Sequence, residues 1–301
     1  MTRAHAPGKV VISGAYAVLS GAPALVSAVS RYVTADTARG ADFVTDEVLA
    51  ALVPEERAPW FDASELRADG RKLGLGSSAA ILVASLFALE HEREPGLARE
   101  QQLERVLLRA QAAHRKAQGG GSGVDVAAST RGGTFVYQLG AGGTTVHPVR
   151  LPAELVIEIW TCPTSASTRE LLAAVAEMAR RAPEVYAPSM GSQVLAAHDA
   201  ALAVQRHDAR AFIAALRAQT RALSQLGAAA NVPIVTPELG KLAPQAEQEG
   251  GVLLPAGAGG GDIALFVGQA ASTAGLRAAL ENHAHRRLDA DLSAPGVQVL
   301  S

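Results

Sequence analysis

The alternation of hydrophobic and polar residues along the chain predicts both strands and helices. In the first half, short runs rich in β-branched residues and bounded by Gly or Pro are typical of strands. Two longer stretches carry apolar residues at the spacing of a helix. The predicted strands are Lys9–Ser13, Leu25–Thr34, Thr134–Gln138 and Leu155–Thr161, and the predicted helices are Ala79–Glu92 and Glu100–Lys116. The polar, acidic segment Gly40–Gly70 is expected to be a surface excursion.

The amino-acid composition changes after Cys162-Pro163, where Ala, Leu, Arg and Gln become the most frequent residues. Helices are predicted at Thr168–Arg181, Gly191–Arg206, Ala209–Gly227, Pro237–Glu249 and Ala271–His283, and short strands at Gly251–Leu254 and Ile263–Val267. The change predicts a domain boundary between residues 150 and 165, which suits the length of a two-domain chain. We therefore expect an α+β fold with domains 1–160 and 161–301.

The composition excludes several classes of protein. In 301 residues, 49% are hydrophobic and 19% charged, which is enough apolar material for a core and excludes a disordered chain. The formal charge of -2 leaves no basic surface for nucleic acid. No apolar run approaches the ~20 residues of a membrane span, and the N-terminus is too broken for a signal peptide. We expect a cytoplasmic protein without a nucleic-acid or membrane partner.

The single cysteine, Cys162, excludes an intramolecular disulfide and a cysteine-rich zinc site. We expect it to be a small buried residue with an unreactive thiol. Four histidines in helical, polar surroundings show no spacing typical of metal ligands. We expect these to lie at the surface: His198, His207, His283 and His285.

The chain contains 29 glycines, many of them in three clusters, and the first cluster precedes a predicted helix. It reads Gly74-Leu75-Gly76-Ser77-Ser78-Ala79-Ala80. Backbone N–H groups of such a loop can converge on a phosphate at the start of a helix, and a serine hydroxyl can bind Mg²⁺. The alternative is a plain loop with a serine N-cap. A dinucleotide fingerprint fits poorly, because it must follow a strand.

The second and third clusters also lie where segments join. Gly119–Gly123 ends a predicted helix and leads into Asp125. Glycine ends many helices, but a carboxylate fixed at such an edge can also accept a proton from a substrate hydroxyl. The third cluster, Gly257–Gly261, connects two short strands. It is either a loose connector or a place where the backbone approaches a ligand closely.

With Ala6-Pro7-Gly8-Lys9, the three clusters resemble the motifs of the GHMP kinases, in the same order and spread from Ala6 to Asp262. Within that family, the segment from His114 to Asp125, the residues Trp160-Thr161 and the segment Ala166-Ser167-Thr168 are similar to the phosphomevalonate kinase branch. The resemblance implies a two-domain fold, in which a nucleotide-binding α/β domain with a mixed sheet precedes a helix-rich α+β domain. It also implies transfer of the γ-phosphoryl group of ATP, with Mg²⁺, to 5-phosphomevalonate. Mevalonate or another small alcohol is the alternative acceptor.

The resemblance also implies roles for individual residues. Asp125 would accept the proton of the acceptor, while Lys9 would stabilise the γ-phosphoryl charge and keep Asp125 ionised. Lys9 stands in an apolar strand, where an unpaired ammonium is costly; an edge-strand lysine that prevents aggregation is the alternative. Ser78 is the preferred Mg²⁺ ligand. The nucleotide would contact Lys72, Gly74, Leu75, Gly76, Ser77, Ser78 and Ala79. The acceptor would contact Lys9, Ser122, Gly123, Asp125, Ser167, Thr168, Arg169, Gly257, Ala258, Gly259 and Gly260. Cations must meet the phosphate of a phosphorylated acceptor, and the candidates are Lys72, Arg131, Arg169 and His5. For each arginine, a solvated surface charge is the alternative.

Three places depart from the family pattern, and the mildest is Pro255-Ala256, where Ser-Gly is expected before the third glycine cluster. Ala15 stands where the family usually has Glu, and His114 stands where mevalonate kinases have a Mg²⁺-ligating Glu eleven residues before the catalytic Asp. The phosphomevalonate branch also has His in this region. Ala15 favours a second class of function, a binding or regulatory protein without turnover, whereas the retained Lys9, Ser78 and Asp125 favour an enzyme. The oligomeric state, monomer or homodimer, stays open.

Overall fold

A computed structural model describes residues 1–68, 70–140, 143–165 and 167–300. Strands and helices both occur throughout this part of the chain, so the predicted α+β class is confirmed. Ala166, in the segment that resembles phosphomevalonate kinases, lies outside the described residues.

The strands are β1 (Arg3–Ser13), β2 (Ala24–Gly40), β3 (Pro59–Asp62), β4 (Arg67–Ala68), β5 (Arg71–Lys72), β6 (Thr134–Gly140), β7 (Gly143–Pro148), β8 (Val156–Thr161), β9 (Val252–Pro255), β10 (Ile263–Gly268), β11 (Arg286–Leu288) and β12 (Gln298–Leu300). The helices are α1 (Asp46–Ala51), α2 (Ser77–Arg93), α3 (Arg99–Gln118), α4 (Val124–Arg131), α5 (Thr168–Arg181), α6 (Pro183–Gln205), α7 (Ala209–Ala230), α8 (Pro237–Gln248) and α9 (Ala274–Asn282).

The chain divides into two compact units that are interleaved in sequence. Unit 1 comprises Met1–Val10, Ser27–Gly133 and Ala290–Ser301, and unit 2 comprises Val11–Val26 and Thr134–Asp289. The predicted domains 1–160 and 161–301 are contiguous instead, and that division stays a prediction.

Unit 1 is built around α2, whose residues from Ala79 to Ala88 are all buried. α1, α3 and α4 pack with α2 or with each other. The start of β1 pairs with β12 in antiparallel register, Arg3 opposite Leu300, so the last strand of the chain closes onto the first. An apolar run of this length, interrupted by Ser85, is typical of a buried helix, as predicted for this segment.

Unit 2 contains a four-stranded sheet in the order β11-β8-β10-β9, in which neighbouring strands are antiparallel. Its core is an apolar cluster around the fully buried Trp160, to which α8 and α9 contribute Leu239 and Leu280. β6 and β7 pair with each other in antiparallel register. Helices α5 to α9 all belong to this half of the chain, so its predicted helix-rich character is confirmed.

Several elements differ from the prediction. α4 was not predicted, because its eight residues are buried on most sides and show no amphipathic period. α6 begins at Pro183 and not at Gly191, because Pro183 occupies the first turn, where its missing N–H is tolerated. The segment Gly40–Gly70, which was expected to be a surface excursion, contains the regular elements α1 and β3.

Among the described helices, none combines the length and the apolar character needed to cross a bilayer. The cytoplasmic location stays a prediction.

Candidate active site

Lys9 is a buried lysine on β1, in unit 1. Only 9% of the residue is exposed, and its neighbours Val10 and Val11 are apolar. Its Nζ lies 3.4 Å from Oδ1 of Asp125. Because a buried ammonium without a partner is costly, the carboxylate is what allows the lysine to lie inside. A lysine that protects a strand edge would be exposed, so the pairing favours a role in a site.

Asp125 belongs to the first turn of α4. The N-cap of this helix is Gly123, in the left-handed conformation with φ 78°. A carboxylate in the first turn is stabilised by the positive end of the helix dipole. The side chain of Asp125 remains 30% exposed, so it is held by Lys9 on one side and accessible to a ligand on another.

The glycine loop before α2 lies directly against this ion pair. Gly76 is the N-cap of α2 and has φ 76°. A β-carbon on Gly76 would be 3.1 Å from Cε of Lys9 and 3.4 Å from Oδ2 of Asp125. Both the left-handed backbone and the close approach require glycine at this position. The start of α2 and the ion pair therefore form one cluster.

The beginnings of α2 and α4, like those of α3 and α6, have no side-chain cap, in contrast to several other helices. A Ser, Thr or Asp side chain accepts a first-turn N–H at the N-caps of α5, α7, α8 and α9: Ser167, Asp208, Thr236 and Thr273. At α2 the N-cap is glycine, and Ser77 and Ser78 are already helical. The alternative of a serine N-cap is therefore wrong. The first-turn N–H groups of α2 have no N-cap acceptor and can bind an anion.

The cluster thus combines a buried ammonium, the positive end of a 17-residue helix and a partly exposed carboxylate. The first two attract a phosphate group. The third can accept a proton from a nucleophile held beside that phosphate. These are the components that phosphoryl transfer needs for charge neutralisation and positioning.

The other predicted site residues of unit 1 differ in their exposure to solvent. Ser77 and Ser78 are half-buried at the start of α2, Gly74 is exposed and Leu75 and Ala79 are buried. Ser122 is half-buried, and its Oγ accepts from the N–H of Val124 at 3.4 Å. Lys72 is exposed on β5.

Two further cations predicted for the acceptor make other contacts. Arg131 pairs with Glu100 at 3.3 Å, and the ring of His5 stacks on Tyr32 with ring centroids 4.4 Å apart. The structure gives neither residue a contact with Lys9 or Asp125.

The remaining predicted acceptor residues belong to unit 2. Ser167 is the N-cap of α5, and its hydroxyl accepts from the N–H of Glu170. Thr168 and Arg169 follow it and are exposed. Their contact with an acceptor stays a prediction.

The third glycine cluster of the chain, Gly257–Gly261, lies in unit 2 and is fixed by hydrogen bonds to neighbouring residues. The N–H of Gly257 donates to the carbonyl of Val11 at 3.2 Å, and that of Gly260 donates to the carbonyl of Ile234 at 2.9 Å. The carbonyl of Ala258 accepts from the hydroxyl of Tyr16 at 2.7 Å. Contact of Gly257, Ala258, Gly259 and Gly260 with a substrate stays a prediction.

Ala15 is buried in unit 2, in an apolar cluster with Tyr16, Met178, Met190 and Ile234. A glutamate in such surroundings would lose its hydration without gaining a charged partner there. The substitution at this position relative to the family therefore has a local packing reason.

Sequence reasoning passed over Ser129, which lies one helical turn after Asp125. Its hydroxyl donates to the carbonyl of Pro7 at 2.8 Å, and the residue is fully buried. The spacing of four residues from the candidate catalytic aspartate was the signal available.

The cysteine and histidine predictions have mixed outcomes. Burial, with the nearby carboxylates Asp262 and Glu238, raises the pKa of the half-buried Cys162 to about 12, as expected for an unreactive thiol. His198 and His207 are exposed. The prediction is wrong for His285, which is only 1% exposed and whose pKa is lowered by burial. Within the described ranges, no group of three or more Cys, His, Asp or Glu residues could hold a metal ion.

Comparison with known proteins supports the motif assignment. Residues 63–133, which contain the first two glycine clusters, match the GHMP kinases N terminal domain. A phosphomevalonate kinase from Streptomyces sp. (strain CL190) is 28% identical over 333 aligned positions, covering 87% of this chain and 88% of that protein. A mevalonate kinase from Archaeoglobus fulgidus is 30% identical over 200 positions, covering 60% of this chain and 66% of that protein.

The fold is also shared with a solved structure. A Streptococcus pneumoniae phosphomevalonate kinase in complex with phosphomevalonate and AMPPNP superposes with a TM-score of 0.76 at 19% identity, covering 97% of this chain and all of that one. The domain match, the relatives and the shared fold agree with the clustering of Lys9, Asp125 and Gly76. The chain belongs to the GHMP kinases, and it is an ATP-dependent kinase that acts on a small molecule.

Proposed function

We propose that this kinase transfers the γ-phosphoryl group of ATP to 5-phosphomevalonate and forms 5-diphosphomevalonate. The observation that carries the proposal is the ion pair between Lys9 and Asp125, 3.4 Å apart, against the start of α2. The identity of the acceptor is supported by the 28% identity to a phosphomevalonate kinase along most of both chains.

In this proposal, the start of α2 binds the phosphates of ATP through the N–H groups of its first turn. Lys9 neutralises charge on the γ-phosphoryl group as it moves to the acceptor. Because a phosphate monoester has a second pKa of about 6, only part of the acceptor carries a proton at neutral pH. Asp125 accepts that proton where it is present and also holds the ammonium of Lys9 in place.

The residues present fit a magnesium ion that is bound mainly through the nucleotide. Mg²⁺ keeps several water ligands and takes few from the protein. Ser78, at the start of α2, would supply a hydroxyl, and Ser77 is the second choice. When bound, the ion would neutralise part of the charge of the phosphates.

A second acceptor, mevalonate, is favoured by one observation, the 30% identity to the mevalonate kinase of Archaeoglobus fulgidus. That alignment covers 60% of this chain, against 87% for the phosphomevalonate kinase. Phosphomevalonate is therefore the first choice.

The purified chain should be tested by coupled release of ADP, with 5-phosphomevalonate, mevalonate, homoserine and galactose offered separately. The highest kcat/KM is expected with 5-phosphomevalonate. A higher value with mevalonate would replace the proposed acceptor and keep the mechanism. Binding of ATP without turnover of any acceptor would instead favour the binding or regulatory protein.

Two substitutions test the roles of the ion pair. Asp125→Asn should lower kcat by about 10²-fold and leave ATP binding unchanged, because it removes both the proton acceptor and the carboxylate that holds the ammonium of Lys9 in place. Lys9→Met should lower kcat by a similar factor. The matched controls are Asp199→Asn on α6 and Lys241→Met on α8, both exposed. Parental turnover in Asp125→Asn would contradict the proposed mechanism.

The acceptor contact predicted for unit 2 needs its own test. Arg169→Gln should raise the KM for 5-phosphomevalonate while kcat and the KM for ATP stay near those of the parent. The exposed Arg210 on α7 provides the control Arg210→Gln.

A further inference from the structure

Two parallel connections join β1 to α4. The ion pair links Lys9 to Asp125 at 3.4 Å, and a hydrogen bond links the carbonyl of Pro7 to the hydroxyl of Ser129 at 2.8 Å. Pro7 and Lys9 are two residues apart on the strand, which corresponds to about 6.6 Å. Asp125 and Ser129 are one turn apart on the helix, which corresponds to about 6 Å. The two spacings match, so both connections can form without distortion of either element.

The strand is fixed on its other side as well. The N–H of Lys9 donates to the carbonyl of Leu75 in the glycine loop at 2.9 Å. A β-carbon on Gly8 would be 2.9 Å from that same carbonyl oxygen, so strand and loop lie in close contact. Lys9 is therefore held to the glycine loop by its own backbone and to α4 through Pro7 and Ser129.

The bond from Ser129 is not explained by the packing of α4 alone. Ser129 is fully buried, and so is its neighbour Thr130, at 1% exposure. The hydroxyl of Thr130 has no hydrogen-bond partner among the described residues. The helix therefore tolerates a buried hydroxyl without a bond, and the one bonded hydroxyl is aimed at the strand that carries Lys9.

We propose that Ser129 is a positioning residue for phosphoryl transfer, which sets the separation of Lys9 and Asp125 by tying α4 to β1 at Pro7. This inference rests on the proposed function, because the roles of Lys9 and Asp125 are those assigned there. Ser129 itself touches neither the nucleotide nor the acceptor. It acts through the geometry of the pair.

Ser129→Ala removes the hydroxyl that donates to Pro7. Ser129→Cys replaces that hydroxyl with a thiol, which is a much weaker donor of similar volume. Because a shift of about 1 Å in a reacting group can cost about 10²-fold in rate, each variant should lower kcat by about tenfold or more. The KM for both substrates should stay within about twofold of the parent, as expected when an interaction outside ground-state binding is lost. Thr130→Val, which removes the unbonded hydroxyl next in sequence, should keep parental kcat.

A double-mutant cycle separates positioning from a general loss of structure. In the Asp125→Asn background the pair no longer works, so adding Ser129→Ala should change the residual kcat by less than about twofold. An equal loss of kcat in both backgrounds, or parental kcat in both Ser129→Ala and Ser129→Cys, would overturn the inference. If Asp125→Asn keeps parental turnover, the mechanism given with the proposed function fails as well. A loss in Asp125→Asn together with parental kcat in the Ser129 variants overturns only the inference.

Discussion

A β-carbon on Gly76 would lie 3.1 Å from Cε of Lys9, tighter than an ordinary van der Waals contact. The backbone that begins α2 and the stem of the buried lysine are therefore in direct contact. The same position has φ 76°, in a region that L-residues other than glycine avoid. Glycine at position 76 thus serves two requirements, the turn into α2 and the room for the ion pair.

Gly76→Ala is expected to lower both stability and turnover. The left-handed backbone alone costs about 1–2 kcal/mol for a residue with a β-carbon, and the methyl group must also displace Lys9 or the loop. Urea unfolding and steady-state kinetics measure the two effects.

Gly250→Ala is the matched control. Gly250 has φ 80°, and a β-carbon there would meet nothing within 4 Å. It should lose similar stability and keep parental kcat. Equal turnover in the two variants would show that crowding at Lys9 is unimportant.

The site could be predicted from the sequence where its determinants are local. Glycines before Ser77 and before Asp125 report backbone conformations that few other residues adopt, and the structure shows left-handed N-caps at Gly76 and Gly123. Lys9 was conspicuous because it interrupts an apolar strand. Its partner, however, is 116 residues away in the chain, and only the family resemblance linked the two.

Contacts without a local signature could not be predicted. The hydrogen bond from Ser129 to Pro7 joins residues 122 positions apart. A serine in a short alanine-rich segment gives no sign of such a bond in the sequence. His285 was assigned to the surface because its sequence neighbours are polar, yet the fold packs it inside unit 2. Burial of this kind depends on tertiary contacts that periodicity does not encode.

Arg109→Met should weaken the attachment of α1 to α3. The Arg109 guanidinium donates to the Glu56 carboxylate and, at 2.9–3.0 Å, to the carbonyl of Ala51 at the end of α1. Hydrogen bonds to charged groups contribute about 1.5–3 kcal/mol, and we expect a loss in this range at pH 7 by urea unfolding. Arg180→Met, which breaks an exposed i,i+3 pair with Glu177, should cost less than about 0.5 kcal/mol.

The contribution of Glu56 should depend on pH. Burial by itself raises the pKa of Glu56, but hydrogen bonds from Arg109 and Val53 and the charges of Arg109 and Arg93 hold it below its ordinary value of 4.5. Since the folded-state pKa is depressed, the stabilisation is present above pH 4.5 and is lost as the pH falls through the folded-state pKa. The stability difference between parent and Arg109→Met should therefore shrink on acidification. A difference that is constant down to the acid transition would contradict this.

Cys162 should react slowly with alkylating reagents in the native protein. With a pKa of about 12, the thiolate fraction at pH 8 is about 10⁻⁴, and the thiolate is the reactive form. Mass spectrometry after iodoacetamide treatment should show little modification under native conditions and rapid modification in guanidinium chloride. Cys162→Ser should keep parental turnover. Fast native labelling at pH 8 would show that the thiol is more exposed or more acidic than in this structure.

His285→Leu should flatten the dependence of stability on pH. Burial lowers the pKa of His285, more than the nearby backbone carbonyls raise it, and the charge of His283 lowers it further. The unfolded chain, with a pKa of 6.5, therefore binds a proton that the native state resists. The stability of the parent should be fully retained above pH 6.5 and should fall below it, until the folded-state pKa is reached.

Urea unfolding at pH 7.5 and pH 5.5, followed by tryptophan fluorescence, measures the difference, because the buried Trp160 reports on unit 2. His285→Leu should lose less stability between the two pH values than the parent does. His198→Leu, at an exposed position on α6, should behave like the parent. If His285→Leu and the parent lose equal stability on acidification, the proton is taken up elsewhere in the unfolded chain, and the buried imidazole does not limit stability in acid.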